Sequence, residues 1–239
     1  MKIAIFLLCY NEELLIEKTV QYYRERFPSS SIIIVDNHST DSSVHLAIKN
    51  KCDVMSFNSG NQQNEAILRD VRNNIWKVAK EGWVIMADMD EWLEITEKEL
   101  EEEEQKGTTI ITTKGYNIIG TSKSIRLEDI NLFELKEGVY DVNMSKRVLF
   151  KVPDVDICYD WGAHKCNPKG NIVYSEKEYI LKHMNWLGEE YIVEKYRLRA
   201  IRNEIYRYPI SFNGHYFIER DRLIEMYREL NHNKTKIIM

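Results

Sequence analysis

Asp88 and Asp90 stand two residues apart in the run Ala87-Asp88-Met89-Asp90-Glu91-Trp92, directly after the apolar stretch Trp83 to Ala87. Carboxylate oxygens at that spacing suit a hard divalent cation such as Mg2+ or Mn2+, which completes its shell with water or phosphate oxygens. A cation held there is placed to neutralise charge developing on a departing diphosphate. Alone the spacing says little, because a strand-terminal turn produces it equally well. Two further polar clusters, Tyr10-Asn11-Glu12 and Asp36-Asn37-His38-Ser39, also follow apolar runs directly. An Asp in such a position accepts hydrogen bonds from a base or ribose. Arg72, beside Asn73 and near Arg69 and Asn64, offers a planar fork to phosphate.

The elements that must position these groups follow from the apolar pattern. Ile3 to Leu8 is a strand-length apolar run, and Leu14, Ile16, Val20 and Tyr23 then recur at helical spacing. Pro28 and Ser29 to Ser31 break that helix, and Ile32 to Val35 is too uniformly apolar for a half-exposed strand. The unit repeats with a helix over Val44 to Asn50, a strand over Val54 to Phe57, a polar loop over Asn58 to Asn64, a helix over Glu65 to Lys80 and a strand over Trp83 to Ala87. Alternating strands and helices predict an α/β fold with a doubly wound, mostly parallel sheet up to about Asp90. Ligands of such sheets bind beyond the carboxyl ends of the strands, where all three polar clusters fall.

The rhythm is lost afterwards. Thr108 to Thr113, Tyr116 to Ile119, Arg147 to Val152 and Asn171 to Tyr174 read as short strands in mixed order, and Glu189 to Arg207 and Glu219 to Asn231 as closing helices. The acidic tract Glu97 to Glu104 reads as a solvated helix face, since like charges so close seek water. One continuous domain over 1–239 is expected, with a ligand-binding front half, 1–95, and a mixed half that includes the closing helices, 96–239, behind it.

With 239 residues, 44% of them hydrophobic, the chain has ample material for one core. A formal charge of −5 leaves no electrostatic footprint for nucleic acid, so none is expected as a partner. Cys9, Cys52, Cys158 and Cys166 are scattered, with no CxxC pair, and read as reduced thiols. The apolar start is too short for a signal peptide and meets Asn11-Glu12-Glu13 at once; no run approaches the roughly 20 apolar residues that span a bilayer. The triplets opened by Asn37, Asn143 and Asn233 are then chance matches to a glycosylation signal. The expectation is a cytoplasmic protein, soluble or peripheral to a membrane.

Four ordered motifs carry a resemblance: Phe6-Leu7-Leu8-Cys9-Tyr10-Asn11-Glu12, then Ile33-Ile34-Val35-Asp36-Asn37-His38-Ser39-Thr40-Asp41, then Arg72-Asn73-Asn74, then Val84-Ile85-Met86-Ala87-Asp88-Met89-Asp90-Glu91. Over about the first 95 residues the chain resembles the family 2 glycosyltransferases of the GT-A fold. The resemblance implies a hexosyl or pentosyl transfer from a nucleoside-diphosphate sugar to a glycan or other hydroxyl acceptor, with inversion and with Mn2+ or Mg2+. It implies that Tyr10, Asn11 and Glu12 line the nucleoside pocket, with Asp36 on the base and Asn37 and Ser39 nearby. Arg72 and Asn73, with Arg69 close enough to share the task, would reach the diphosphate or donor sugar. Asp88 and Asp90 would serve ribose and metal.

The second half resembles the family only loosely. In GT-A enzymes a downstream His often completes the metal shell, and His183, at the end of an apolar strand, looks like that ligand. Asp160, Asp156 and His164 are the candidates for the base that takes the acceptor's proton. The segment Glu189 to Arg207 carries Lys195, Arg197, Arg199, Arg202 and Arg207 among apolar residues. It suits a cradle for donor phosphates, a peripheral contact with an anionic membrane, or a solvated helix face. The rival readings are a nucleotide- or carbohydrate-binding module of the same fold without turnover, and a sugar nucleotidyltransferase, which wants a Gly-rich basic loop that Tyr10-Asn11-Glu12 does not supply.

Overall fold

The computed structural model describes residues 1–204 and 217–237. Its elements are β1 Ile3–Cys9, α1 Ile16–Arg26, β2 Ser31–Asp36, α2 Ser43–Lys49, β3 Asp53–Ser56, α3 Glu65–Asn74, β4 Gly82–Asp88, β5 Glu91–Glu94, α4 Glu97–Gln105 and β6 Ile110–Ser122. There follow β7 Glu137–Tyr140, β8 Leu149–Val152, β9 Val155–Asp156, β10 Lys169–Gly170, β11 Tyr174–Gly188, α5 Glu189–Glu204, α6 Arg220–Asn233 and β12 Thr235–Lys236.

The central sheet runs β12-β7-β6-β8-β4-β1-β2-β3, and β11 joins it through β6 while also pairing with β5. β3, β2, β1 and β4 are mutually parallel. Successive residues of β1 feed opposite faces: Ile3, Ile5 and Leu7 pack with Leu15, Ile16 and Val20, whereas Phe6 and Leu8 pack with Trp76 and Phe150. Both faces of these strands are covered, so no polar alternation survives in them. This is the α/β GT-A fold, with helices flanking a mostly parallel sheet.

Several boundaries differ from the sequence reading. The helix expected over Glu65 to Lys80 ends at Asn74 and tightens into a 3-10 turn, Ile75–Val78. The two strands expected at Thr108 to Thr113 and Tyr116 to Ile119 are one strand, β6, which continues through Lys114 and Gly115. The strand placed at Asn171 to Tyr174 begins only at Tyr174 and runs on to Gly188 as β11. β5 follows the Asp88 turn so closely that no apolar run announced it. α4 is helical as expected, with a Thr96/Glu99 capping box, but Glu103 is buried and bonded by Thr108 Oγ1. Of the closing helices, the first is described to Glu204, and Arg207 lies outside the described residues.

Candidate active site

Asp88 is the last residue of β4, and Asp90 lies in the turn before β5. Met89 between them is buried in the core, its carbonyl accepting from Thr19 Oγ1 at 2.9 Å and its N–H bonded to Leu8 O at 3.1 Å. Both carboxylates line one crevice of about 670 Å³ at the carboxyl ends of β1 and β4, with Met89 between them also on its surface.

Cations crowd these carboxylates. Arg72 Nη2 donates to Asp88 Oδ1 at 2.8 Å, and Lys146 Nζ lies 3.3 Å from Asp88 Oδ2 and 2.5 Å from Glu91 Oε1. Asp90 Oδ2 receives Lys195 Nζ at 2.6 Å, with His183 Nε2 at 3.4 Å and Arg199 Nη2 at 3.5 Å. Burial raises the pKa of both carboxyls, yet Arg72 and Lys146 hold Asp88 well below its ordinary value, and Lys195 and His183 do the same for Asp90. Burial likewise opposes the charges of Lys146 and Lys195, but Glu91 and Asp88 raise the first and Asp90 raises the second. Asp88, Asp90, Lys146 and Lys195 are therefore ionised at neutral pH. Arg72 Nη1 has no hydrogen-bond partner among the described residues, nor has Asn185 Oδ1, which also lines the crevice.

The first two strand ends form one interlocked wall. Asn11, at φ 53°, has its N–H bonded to Ser39 Oγ at 2.9 Å, and its Oδ1 accepts from Thr40 N at 2.7 Å. Asp36 caps the same loop by accepting from Ser39 N, and Asn37 is tied to Ser59 through both ends of its amide. Tyr10, Asn11, Glu12 and Asn37 line the crevice; Asp36 and Ser39 brace it from behind. The Arg202 guanidinium lies 3.5 Å from the Tyr10 ring centroid, closing this wall from α5. Burial, reinforced by Asp90, pushes Glu12 up to about 7 against the pull of Lys195 and Arg199.

Other expected site residues have different employment. Asn64 caps α3, accepting from Ala66 N and Ile67 N. Arg69 stacks 4.5 Å over the Trp161 ring, and Asn73 bonds both backbone groups of Tyr159. Asp160 accepts from Trp161 N, and Asp156, in β9, lies 3.8 Å from Lys77. None of Arg69, Asn73, Asp156 and Asp160 lines the crevice, whereas His164 and His183 do. His164 Nδ1 bonds Asn143 O at 2.7 Å; a carbonyl only accepts, so that nitrogen carries the proton and Nε2 is left with its lone pair. Lys146, Asn117, Asp141 and Asn185 line the crevice without having been singled out in the sequence. No motif marks them, although the polar Asn185 two residues after His183 in an apolar strand was a usable signal.

Among the described residues no three His, Cys, Asp or Glu side chains close a metal shell. Asp90 Oδ2 and His183 Nε2 nevertheless converge at 3.4 Å, and Asp88, two residues before Asp90, lines the same crevice. An oxygen and nitrogen donor set of that size fits Mn2+ or Mg2+ bound together with diphosphate oxygens.

A mostly parallel sheet whose strand ends carry an acidic pair among cations is the arrangement that the GT-A resemblance implies. The sequence model described as Glycosyl transferase family 2 matches residues 4–159, and the chain belongs to that family. It is 40% identical to Protein RfbJ of Shigella flexneri over 45 residues, 19% of this chain and 35% of RfbJ. Among solved structures it is similar to S. aureus TarS, with 17% identity and a TM-score of 0.51 over 98% of this chain and 44% of that one. A shorter form, TarS 1-349 in complex with UDP, gives 16% identity and a TM-score of 0.50 over 95% of this chain and 71% of that one. At such identity the likeness to TarS is one of fold. The chain thus spans less than half of RfbJ and of the longer TarS. No helix among the described residues is long and apolar enough to cross a membrane.

Proposed function

We propose that the protein moves a hexosyl or pentosyl group from a nucleoside-diphosphate sugar to a glycan or other hydroxyl acceptor, with inversion at the anomeric carbon. The observation that carries this reading is the pairing of Asp88 and Asp90 with Arg72, Lys146, Lys195 and His183 on one crevice floor. Such a site is balanced without ligand and can re-pair its cations with a diphosphate. Family membership supports the same reading, as does UDP bound by the similarly folded TarS.

In this reading residues 1–95 form the nucleotide-sugar-binding half, and the acceptor-side half, 96–239, adds His183, Asn185, Lys195 and Arg199 to the donor site. Tyr10, Asn11 and Glu12 face the nucleoside, with Asp36, Asn37 and Ser39 keeping their loop in shape. Arg72, whose Nη1 lies 3.9 Å from Glu65 Oε2 with no hydrogen-bond partner among the described residues, turns to the diphosphate together with Lys195 and Arg199. Asp90 and His183, with Asp88 beside them, would hold Mn2+ or Mg2+, which when bound supplies positive charge to the departing diphosphate. Asn185 Oδ1, buried and unbonded among the described residues, accepts a sugar hydroxyl.

The acceptor hydroxyl oxygen attacks the anomeric carbon as the bond from that carbon to the diphosphate breaks. His164 Nε2 takes the hydroxyl proton. Partial burial and nearby Lys146 lower the His164 pKa from its ordinary value, so the ring is neutral and able to accept at neutral pH. Of the three candidate bases it alone lines the crevice, which is why Asp160 and Asp156 are set aside.

The test is a screen of nucleotide sugars with Mn2+ for a rise in melting temperature and for metal-dependent release of nucleoside diphosphate, then NMR of the anomeric product. A ligand that binds only the folded state must stabilise it, by about 2.7 kcal/mol at a hundred times Kd. No stabilisation by any nucleotide sugar, or unchanged release by Asp90→Ala, would contradict the assignment.

A further inference from the structure

One wall of the crevice carries a chain of hydrogen bonds that runs away from the donor motifs. Asn117 Nδ2 donates to Asp141 Oδ2 at 3.0 Å, Asn117 Oδ1 meets His183 Nδ1 at 2.8 Å, and His183 Nε2 lies 3.4 Å from Asp90 Oδ2. A carboxylate only accepts, so the side of the Asn117 amide that faces Asp141 is its NH2. The amide carbonyl then faces His183, and a carbonyl there requires the proton on Nδ1. Each orientation follows from the one before, and Nε2 is the nitrogen left toward Asp90.

We propose that Asp141 and Asn117 are positioning residues that set the tautomer and ring orientation of His183, so that Nε2 presents its lone pair beside Asp90 to a divalent cation. This rests on the reading of Asp90 and His183 as metal ligands given above.

Backbone register builds the row. Asn117 of β6 is opposite His183 of β11 in parallel pairing, and His183 is opposite Glu91 of β5 in antiparallel pairing. Met184 N donates to Asp90 O at 2.7 Å, which fixes the turn that carries Asp90 against β11. Asp141 is itself pinned: its N–H bonds Gly115 O at 3.0 Å, and its Oδ1 accepts from Asn143 N at 2.9 Å. One carboxylate oxygen thus caps a turn while the other orients the amide. A ring nitrogen that ligates metal works best when the opposite N–H is held by an oxygen, and losing that partner costs about 10–100-fold in metal affinity.

The test measures Mn2+ binding to the full chain by EPR, with and without UDP, for wild type, Asn117→Leu and Asp141→Asn. In parallel, 15N spectra of the Mg2+-loaded protein read which His183 nitrogen bears the proton. The expected results are an Nδ1-protonated ring in wild type, Mn2+ binding weakened about 10–100-fold in Asn117→Leu, and a smaller loss in Asp141→Asn, whose amide can turn either way. Melting temperatures check that each variant is folded; should Asn117→Leu fail to fold, the wild-type spectrum and Asp141→Asn decide alone. An Nε2-protonated wild-type ring, or equal Mn2+ binding by wild type and variants, overturns the proposal while leaving the metal reading in place. Wild type that binds no Mn2+ even with UDP overturns both.

Discussion

Lys195 on α5 reaches across 105 residues of chain to donate to Asp90 Oδ2 at 2.6 Å. The same oxygen faces His183, so the lysine stands where it competes with any divalent cation for this carboxylate. Replacing it separates the two roles. Lys195→Met is expected to bind Mn2+ about tenfold more tightly in the absence of donor, roughly 1.4 kcal/mol, and to lose transfer because the diphosphate loses a counter-charge. Its stability should fall by less than the roughly 3–5 kcal/mol of a buried charge stripped of partners, because His183 and Arg199 remain near Asp90. Isothermal titration with Mn2+ and a melting curve check both; unchanged or weaker Mn2+ binding would show that the lysine does not contest the site.

Glu12 supplies a pH signature. Its folded pKa, about 7, is raised by burial above the ordinary glutamic acid value, so the folded state keeps a proton that the unfolded chain has already lost. The stabilising contribution is full below the unfolded value near 4.5 and is lost as pH rises through 7. Glu12→Gln should therefore be the more stable protein above pH 7, by on the order of 2 kcal/mol, and should flatten the stability profile between those values. Denaturant melts of the metal-free protein at pH 5, 6, 7 and 8 measure this. Parallel profiles for the two proteins would remove Glu12 as the titrating group.

Asn73 separates what the family resemblance implies from what the structure shows it bonding. Both ends of its amide hold the Tyr159 backbone, at 2.7 and 3.0 Å. Asn73→Ala should cost about 1–3 kcal/mol through those lost bonds. Its KM for the donor should stay within about twofold of wild type, because the side chain does not line the crevice. A large rise in donor KM at unchanged stability would return Asn73 to the donor site.

The front half of the fold is legible in the sequence because β1, β2 and β4 are buried on both faces and read as unbroken apolar runs. The polar clusters at their ends are local in sequence, and the GT-A resemblance over about the first 95 residues is borne out by the family match and the fold. The back half is written in register instead. Asn117 and Lys182 look like chance polar residues in strands until β11 is seen between β5 and β6. Lys146 stands in a stretch with no motif, yet it is 5% exposed and balances Asp88 and Glu91. No pattern within a window of twenty residues contains such a pairing, since Asp88 is 58 residues away along the chain.

Gly115 ties the two histidine arms of the site to one backbone contact. A Cβ built on it would lie 2.1 Å from the Met144 carbonyl carbon, too close for any other residue without displacing the turn Val142–Met144. That turn is flanked by Asp141, which orients Asn117 and through it His183, and it contains Asn143, whose carbonyl holds His164 Nδ1. Gly115→Ala should then cost about 1–3 kcal/mol of stability as the turn is pushed off β6. It should also lower kcat more than it raises donor KM, because Tyr10, Asn11 and Arg72 bond Asn61, Ser39 and Asp88 rather than this turn. Steady-state kinetics at saturating donor, with a melting curve on the same sample, distinguish this from general loosening. A rise in donor KM at constant kcat would mean that the turn supports donor binding and that its hold on the histidines does not govern turnover.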